Sequence, residues 1–146
     1  MFPNLIHTPK IYSGKNCVLD NANIFATYGE KCLIVTSRTA GEKSGALADV
    51  VKALELNDIG YEVFNKITEN PLVSTVIEGG AVAREIGADF IIGIGGGSPL
   101  DASKAIAICA KNPEYDINGL YNRKNPSKAL PVILIGTTSG TGSEVT

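Results

Sequence analysis

The chain has 146 residues, about one ordinary domain, and its 44% hydrophobic and 19% charged residues are the balance of a globular core. A formal net charge of −2 excludes a basic surface that binds nucleic acid by neutralising phosphates. No apolar run approaches the roughly 20 residues that a membrane helix needs.

In chain order, residues 10–13 read as an edge strand and residues 20–28 as a short capped helix. Residues 31–36 carry Cys-Leu-Ile-Val between a glycine and a polar loop, the pattern of a short buried strand. Leu47, Val50, Val51 and Leu54 recur at i, i+3, i+4 and i+7, which predicts a helix over about 43–57, closed by Gly60. Residues 61–64 alternate as a strand does. Val73, Val76, Ile77, Gly80 and Ala83 then keep helical spacing, for a second helix over about 72–87. Residues 89–94 form the next strand, and Ala102, Ala105, Ile106 and Cys109 line one face of the helix after it. A polar connection over 111–128 leads to a last strand at 130–135. Strands that are apolar almost throughout, alternating with helices, predict an α/β domain: a Rossmann-like parallel sheet with helices on both faces. Cys17, Cys32 and Cys109 are widely spaced and odd in number. They give neither a disulfide framework nor a zinc cluster and favour the cytoplasm, and Met1-Phe2-Pro3-Asn4 does not read as a signal peptide.

Four of the five residues from Gly93 to Gly97 are glycine, at a junction where an apolar strand meets a helix. Amide groups at a helix start lack partners within the helix and point at whatever lies beyond it, so this junction suits phosphate. Ser98 reads as the capping hydroxyl, Pro99 as a first-turn proline, and Asp101 as the acid three residues after the cap. The alternative is a tight structural turn whose glycines only let helix and strand pack closely. The segment is not a Walker loop, and Ser98 stands where G-x-G-x-x-G would end in glycine, so the nucleotide is not named by it.

A second loop, 136–144, follows the last strand and is rich in hydroxyls and glycines. It reads either as a flexible segment or as a second wall of the crevice that forms at strand C-termini in an open α/β sheet. Thr36, Ser37 and Arg38 stand at the end of the strand at 31–36, where a dinucleotide fold grips the adenosine ribose. An acid there would repel a 2′-phosphate; its absence permits NADP, although Arg38 is equally well read as a surface residue. Asn70, before Pro71, either reaches adenine or ribose or satisfies its own backbone. His7 and Lys104 carry no assigned role, and no catalytic triad, metal cluster or carboxylate pair assembles from the residues.

Together these segments resemble the iron-containing (group III) alcohol dehydrogenases. The resemblance rests on Gly-Ala-Asp-Phe-Ile-Ile-Gly-Ile-Gly-Gly-Gly-Ser-Pro-Leu-Asp-Ala-Ser-Lys-Ala-Ile-Ala at 87–107 and Pro-Val-Ile-Leu-Ile-Gly-Thr-Thr-Ser-Gly-Thr-Gly-Ser-Glu-Val-Thr at 131–146. Similar segments at 10–14, 33–36 and 69–71 extend it over the whole chain. It implies the N-terminal, cofactor-binding domain of a dehydroquinate synthase-like fold, and NAD(P)-dependent interconversion of a primary alcohol and an aldehyde.

By that resemblance Gly96, Gly97 and Ser98 hold the pyrophosphate and Asp101 sits beside the cofactor. Thr137, Thr138, Ser139, Thr141 and Gly142 line the nucleotide cleft, and Asn70 and Ser37 lie near the adenosine end. Many members have aspartate where this chain has Ser37, which leaves NAD and NADP both open. The family's Fe2+ (or Zn2+) ligands, an aspartate and histidines, are expected beyond residue 146 in a helical domain. A chain of 1–146 alone is therefore expected to be inactive, and no catalytic or metal residue is assigned within it. The expected partners are a small alcohol or aldehyde and further copies of the chain, with no nucleic acid and no membrane. A glycerol dehydrogenase-like or dehydroquinate synthase-like enzyme, and a non-catalytic nucleotide-binding module, are the alternatives.

Overall fold

The computed structural model describes residues 10–12, 22–38, 45–68, 73–112 and 129–136. Its elements in chain order are β1 (Lys10–Tyr12), a 3-10 helix (Ala22–Thr27), β2 (Lys31–Ser37), α1 (Ala46–Leu56) and β3 (Gly60–Ile67). They continue as α2 (Val73–Ile86), β4 (Phe90–Gly95), α3 (Gly97–Lys111) and β5 (Val132–Gly136).

All five strands are parallel, in the order β1-β5-β4-β2-β3. The chain leaves β2 towards one edge to make β3, then returns across β2 to make β4 and β5 on the other side. With right-handed crossovers, that reversal puts α1 on one face of the sheet and α2 and α3 on the other. Side chains of successive strand residues divide accordingly. Cys32, Ile34, Phe90, Ile92 and Ile94 join Phe25, Val50, Ala53 and Leu54 on the α1 face. Leu33, Val35 and Ile91 join Val76, Ala83, Ala102, Ile106 and Ala107 on the other. The expected sheet with helices on both faces is what the chain forms.

The helices α2 and α3 meet through glycine. A Cβ at Gly79 would lie 2.6 Å from Cδ1 of Ile106, and one at Gly80 only 2.6 Å from Cβ of Cys109 and 3.1 Å from its carbonyl carbon. Arg84 Nη1 donates to the Cys109 carbonyl at 2.6 Å and ties the far ends together. Because the atoms facing Gly80 include backbone, a methyl group there has to move a whole helix. Gly80→Ala is expected to cost about 2 kcal/mol, read as a lower urea midpoint with unchanged slope.

One local expectation is refined and one corrected. The short helix expected over 20–28 forms at 22–27 and is a 3-10 helix, a tighter wind suited to short pieces. Its end is tied to α1 by Asn57, whose Nδ2 donates to the carbonyls of Ala22 at 2.8 Å and Ala53 at 2.9 Å. Gly60 does not close α1; it opens β3, its amide bonded to the Glu30 carbonyl at 2.9 Å. The residue at positive φ after α1 is Asp58, at 55°, because a short polar side chain tolerates that region.

Cys32 is sealed in the core, and burial pushes its thiol from an ordinary 9.0 up to about 12. The folded chain therefore keeps this proton over a range in which the unfolded chain has lost it. That contribution is complete below about pH 9 and is lost as pH rises towards 12. Cys32→Ala, less stable at neutral pH, is expected to lose less further stability between pH 8 and 10, measured by urea unfolding at each pH.

Candidate functional site

Every residue of β4 is buried, and at its C-terminal end three structural facts make a backbone cradle. Gly93 lets α3 lie against the strand: a Cβ there would sit 2.9 Å from Cβ of Ser103 and 3.3 Å from Leu134, as well as against the Ser103 hydroxyl. Gly95 takes φ +140°, where L side chains are strained, and a Cβ on it would lie 2.8 Å from the Pro99 ring. Gly96 is the N-cap of α3, with φ −91° and ψ −152° and no side chain bonded over it.

The ladder of α3 opens with the Leu100 amide on the Gly96 carbonyl, at 3.2 Å. The amides of Gly97 and Ser98 stand ahead of that ladder, and Pro99 has none. Gly96, Gly97 and Ser98 are half-buried, between a buried Gly95 and a buried Pro99. A helix start carries about half a positive charge. Three small, half-buried residues at a positive helix terminus make a surface that an anion can approach.

The cap assignment made from sequence is corrected here. Gly96, not Ser98, is the N-cap, so Ser98 lies inside the first turn and Asp101 is five residues past the cap. No capping box forms. Glycine takes the cap because the helix begins at Gly97, directly after the positive-φ turn at Gly95, which leaves Ser98 already helical. Asp101 is exposed and sits 3.8 Å from Lys104 Nζ, an i, i+3 pair of little energetic weight at the surface.

Ser37 ends β2, beside the end of β4: Thr36 is in register with Ile94, the residue before Gly95. This is the point where strand order reverses, between β2 and β4, and open α/β sheets bind ligands outside the strand C-termini at such a point. Gly95 is in register with Gly136 of β5, so the chain leaves β5 next to the cradle. Ser37, Gly96, Gly97 and Ser98 are thus brought together at the C-terminal end of the two neighbouring strands β2 and β4. Arg38 follows Ser37 and is exposed. Asn70 and the residues Thr137, Thr138, Ser139, Thr141 and Gly142 lie outside the described residues.

Thr36, which the sequence sets with Ser37 and Arg38 at the ribose end of β2, lies inside the fold. It is 2% exposed, and among the described residues its Oγ1 is the one buried side-chain polar atom without a hydrogen-bond partner. Among the described residues no three of His, Cys, Asp and Glu converge as metal ligands do, and no helix is long and apolar enough to cross a membrane.

Fold and site together define an open, doubly wound α/β domain with a glycine-rich strand-to-helix turn at its switch point. Residues 8–146 match the sequence profile of the iron-containing alcohol dehydrogenases, and the chain belongs to that family. It is 40% identical over 114 residues to the long-chain primary alcohol dehydrogenase of Thermoanaerobacter ethanolicus, covering 77% of this chain and 29% of that protein. The crystal structure of an iron-containing alcohol dehydrogenase from Thermotoga maritima superposes with a TM-score of 0.87 at 36% identity, over 98% of this chain and 40% of that one. A sulfoacetaldehyde reductase from Bifidobacterium kashiwanohense, solved in complex with NAD+, superposes with a TM-score of 0.77 at 30% identity, over 100% of this chain and 39% of that one. The chain thus spans less than half the length of these relatives.

Proposed function

We propose that this chain is the cofactor-binding part of an NAD(P)-dependent alcohol dehydrogenase that interconverts primary alcohols and aldehydes. The observation that carries this reading is the backbone cradle of Gly95 to Ser98 at the switch point, in a family whose relatives are alcohol dehydrogenases. Gly96, Gly97 and Ser98 hold the pyrophosphate, and the β2 end at Ser37 receives the adenosine ribose. The nicotinamide supplies or takes up hydride when bound. The described residues do not fit the family's metal, since no ligating cluster forms among them. Their part in the reaction is to bind and orient the nucleotide.

The β2 end carries a hydroxyl and a guanidinium where an acid would exclude a 2′-phosphate, so both NAD and NADP are accepted. The small substrate is an alcohol or aldehyde, the assembly contains further copies of the chain, and the compartment is the cytoplasm.

The test is fluorescence titration of the chain with NADH and NADPH, repeated on Ser98→Asp. An acid in the first turn complements the helix terminus, so the variant is expected to fold with unchanged or slightly raised stability. The same charge repels pyrophosphate, and affinity is expected to fall more than about tenfold, the equivalent of one lost charge-assisted hydrogen bond. Equal affinity in Ser98→Asp would show that the nucleotide phosphates lie elsewhere.

A further inference from the structure

β3 ends the sheet, and among the described residues no strand pairs with its outer side. The Gly60 amide bonds the Glu30 carbonyl at 2.9 Å, so the alternate residues Glu62 and Phe64 turn their backbone groups to β2. Tyr61 and Val63 turn theirs outward. Such an edge is a template for another strand, and Tyr61-Glu62-Val63-Phe64 is rich in residues that favour strands. The side chains of Tyr61 and Val63 stand half-buried on the α1 face, where Leu47 and Val51 are half-buried too.

Charge decides what this edge accepts. Glu62 is in register with Leu33 and Phe64 with Val35, so both point to the α2 face. Lys66 reaches the same face: its Nζ lies 5.9 Å from the centre of the Phe64 ring and pairs with Glu78 of α2. Glu62 and Lys66 are both exposed, and they flank Phe64 at equal distance along the strand. When two copies of β3 meet antiparallel and centred on Phe64, each Glu62 stands opposite the other copy's Lys66. Centring on Glu62 or on Lys66 sets like charges face to face, which is destabilising. Charges on an edge ordinarily block indiscriminate pairing. Here they select one register and make it attractive.

We propose that the β3 edge binds a second copy of this chain, strand against strand, about a two-fold axis normal to the sheet at Phe64. Two five-stranded sheets then become one, joined by the outward backbone groups of Tyr61 and Val63 and by symmetric Glu62–Lys66 pairs. The inference rests on the self-association proposed above and gives that association a surface.

The test is sedimentation of the full chain over about 1–100 μM, unsubstituted and as Val63→Pro, Glu62→Lys and the double exchange Glu62→Lys with Lys66→Glu. Val63→Pro removes an outward amide and no bond to β2, so the variant is expected to fold. Its dimer is expected to be more than about tenfold weaker, the scale of the backbone bonds lost across the axis. Glu62→Lys sets cations opposite each other on both sides of the axis, for a dimer about tenfold weaker. The double exchange restores both attractive pairs and is expected to return to within about threefold of the unsubstituted chain. Dimerisation of Glu62→Lys, or of folded Val63→Pro, as tight as that of the unsubstituted chain overturns the inference and leaves self-association standing on another surface. A double exchange as weak as Glu62→Lys also overturns it, because the two charges then do not face each other. An unsubstituted chain that stays monomeric throughout overturns both, and leaves the edge to a partner of another kind.

Discussion

Replacing Gly95 by alanine is expected to lower the thermal midpoint by about 10 °C and to weaken NADH binding by about tenfold to a hundredfold. Two costs combine in the folded state. The backbone at φ +140° disfavours any L side chain, by roughly 1–3 kcal/mol. The new methyl also lies 2.8 Å from Cγ of Pro99 and 3.1 Å from its Cβ. A proline ring has no rotamer by which to retreat, so the first turn of α3 has to shift. Together these amount to roughly 2–4 kcal/mol, which for a chain of this size is a midpoint change of that order. The shift also carries the amides of Gly97 and Ser98 away from the phosphate position. One charge-assisted hydrogen bond lost there is about 1.5–3 kcal/mol, hence the range in affinity. Calorimetry and nucleotide titration on the same preparation check both halves. A variant that melts lower but binds normally would separate the turn from the ligand.

The second large effect is expected two residues earlier. Gly93→Ala places a methyl group 2.9 Å from Cβ of Ser103 and 3.3 Å from Leu134. Ser103 is fully buried, and its Oγ donates to the Pro99 carbonyl at 2.7 Å. The substitution therefore either breaks that bond inside the core or lifts α3 from the sheet, at about 2–3 kcal/mol. A companion change identifies the cause. Ser103→Gly removes the opposing atoms and alone costs about 1 kcal/mol as a helix-interior glycine. The pair is expected to cost less than the sum of the singles by about 1–2 kcal/mol, measured as a double-mutant cycle by urea unfolding. Strict additivity would mean that the two positions do not press on each other.

These two glycines show how the site was legible and where it was not. The run from Gly93 to Gly97 marks a turn that needs backbone freedom, and its place between an apolar strand and a helix pattern marks that turn as a phosphate junction. Each glycine has its own reason, which only contacts reveal. Gly93 is bare because Ser103 fills its side, Gly95 because the chain turns through positive φ under Pro99, and Gly96 because it is the cap. Reading Ser98 as the cap followed the common preference for hydroxyls there. The sharp turn after Gly95 overrode it. Gly60 and Asp58 repeat the lesson: glycine is the usual residue after a helix, but β3 needed to start at Gly60 to bond with Glu30.

The sequence by itself determined the α/β class, the approximate place of each strand and helix, and the strand-to-helix turn at Gly95 to Ser98. It could do so because those features depend on local periodicity and on backbone freedom, both written along the chain. Tertiary structure alone decided that β2 and β4 are neighbours, that Gly95 pairs beside Gly136, and that Thr36 ends buried without a partner. Those follow from crossover handedness and sheet register, which join residues about 40 to 60 positions apart and leave no periodic trace in the chain.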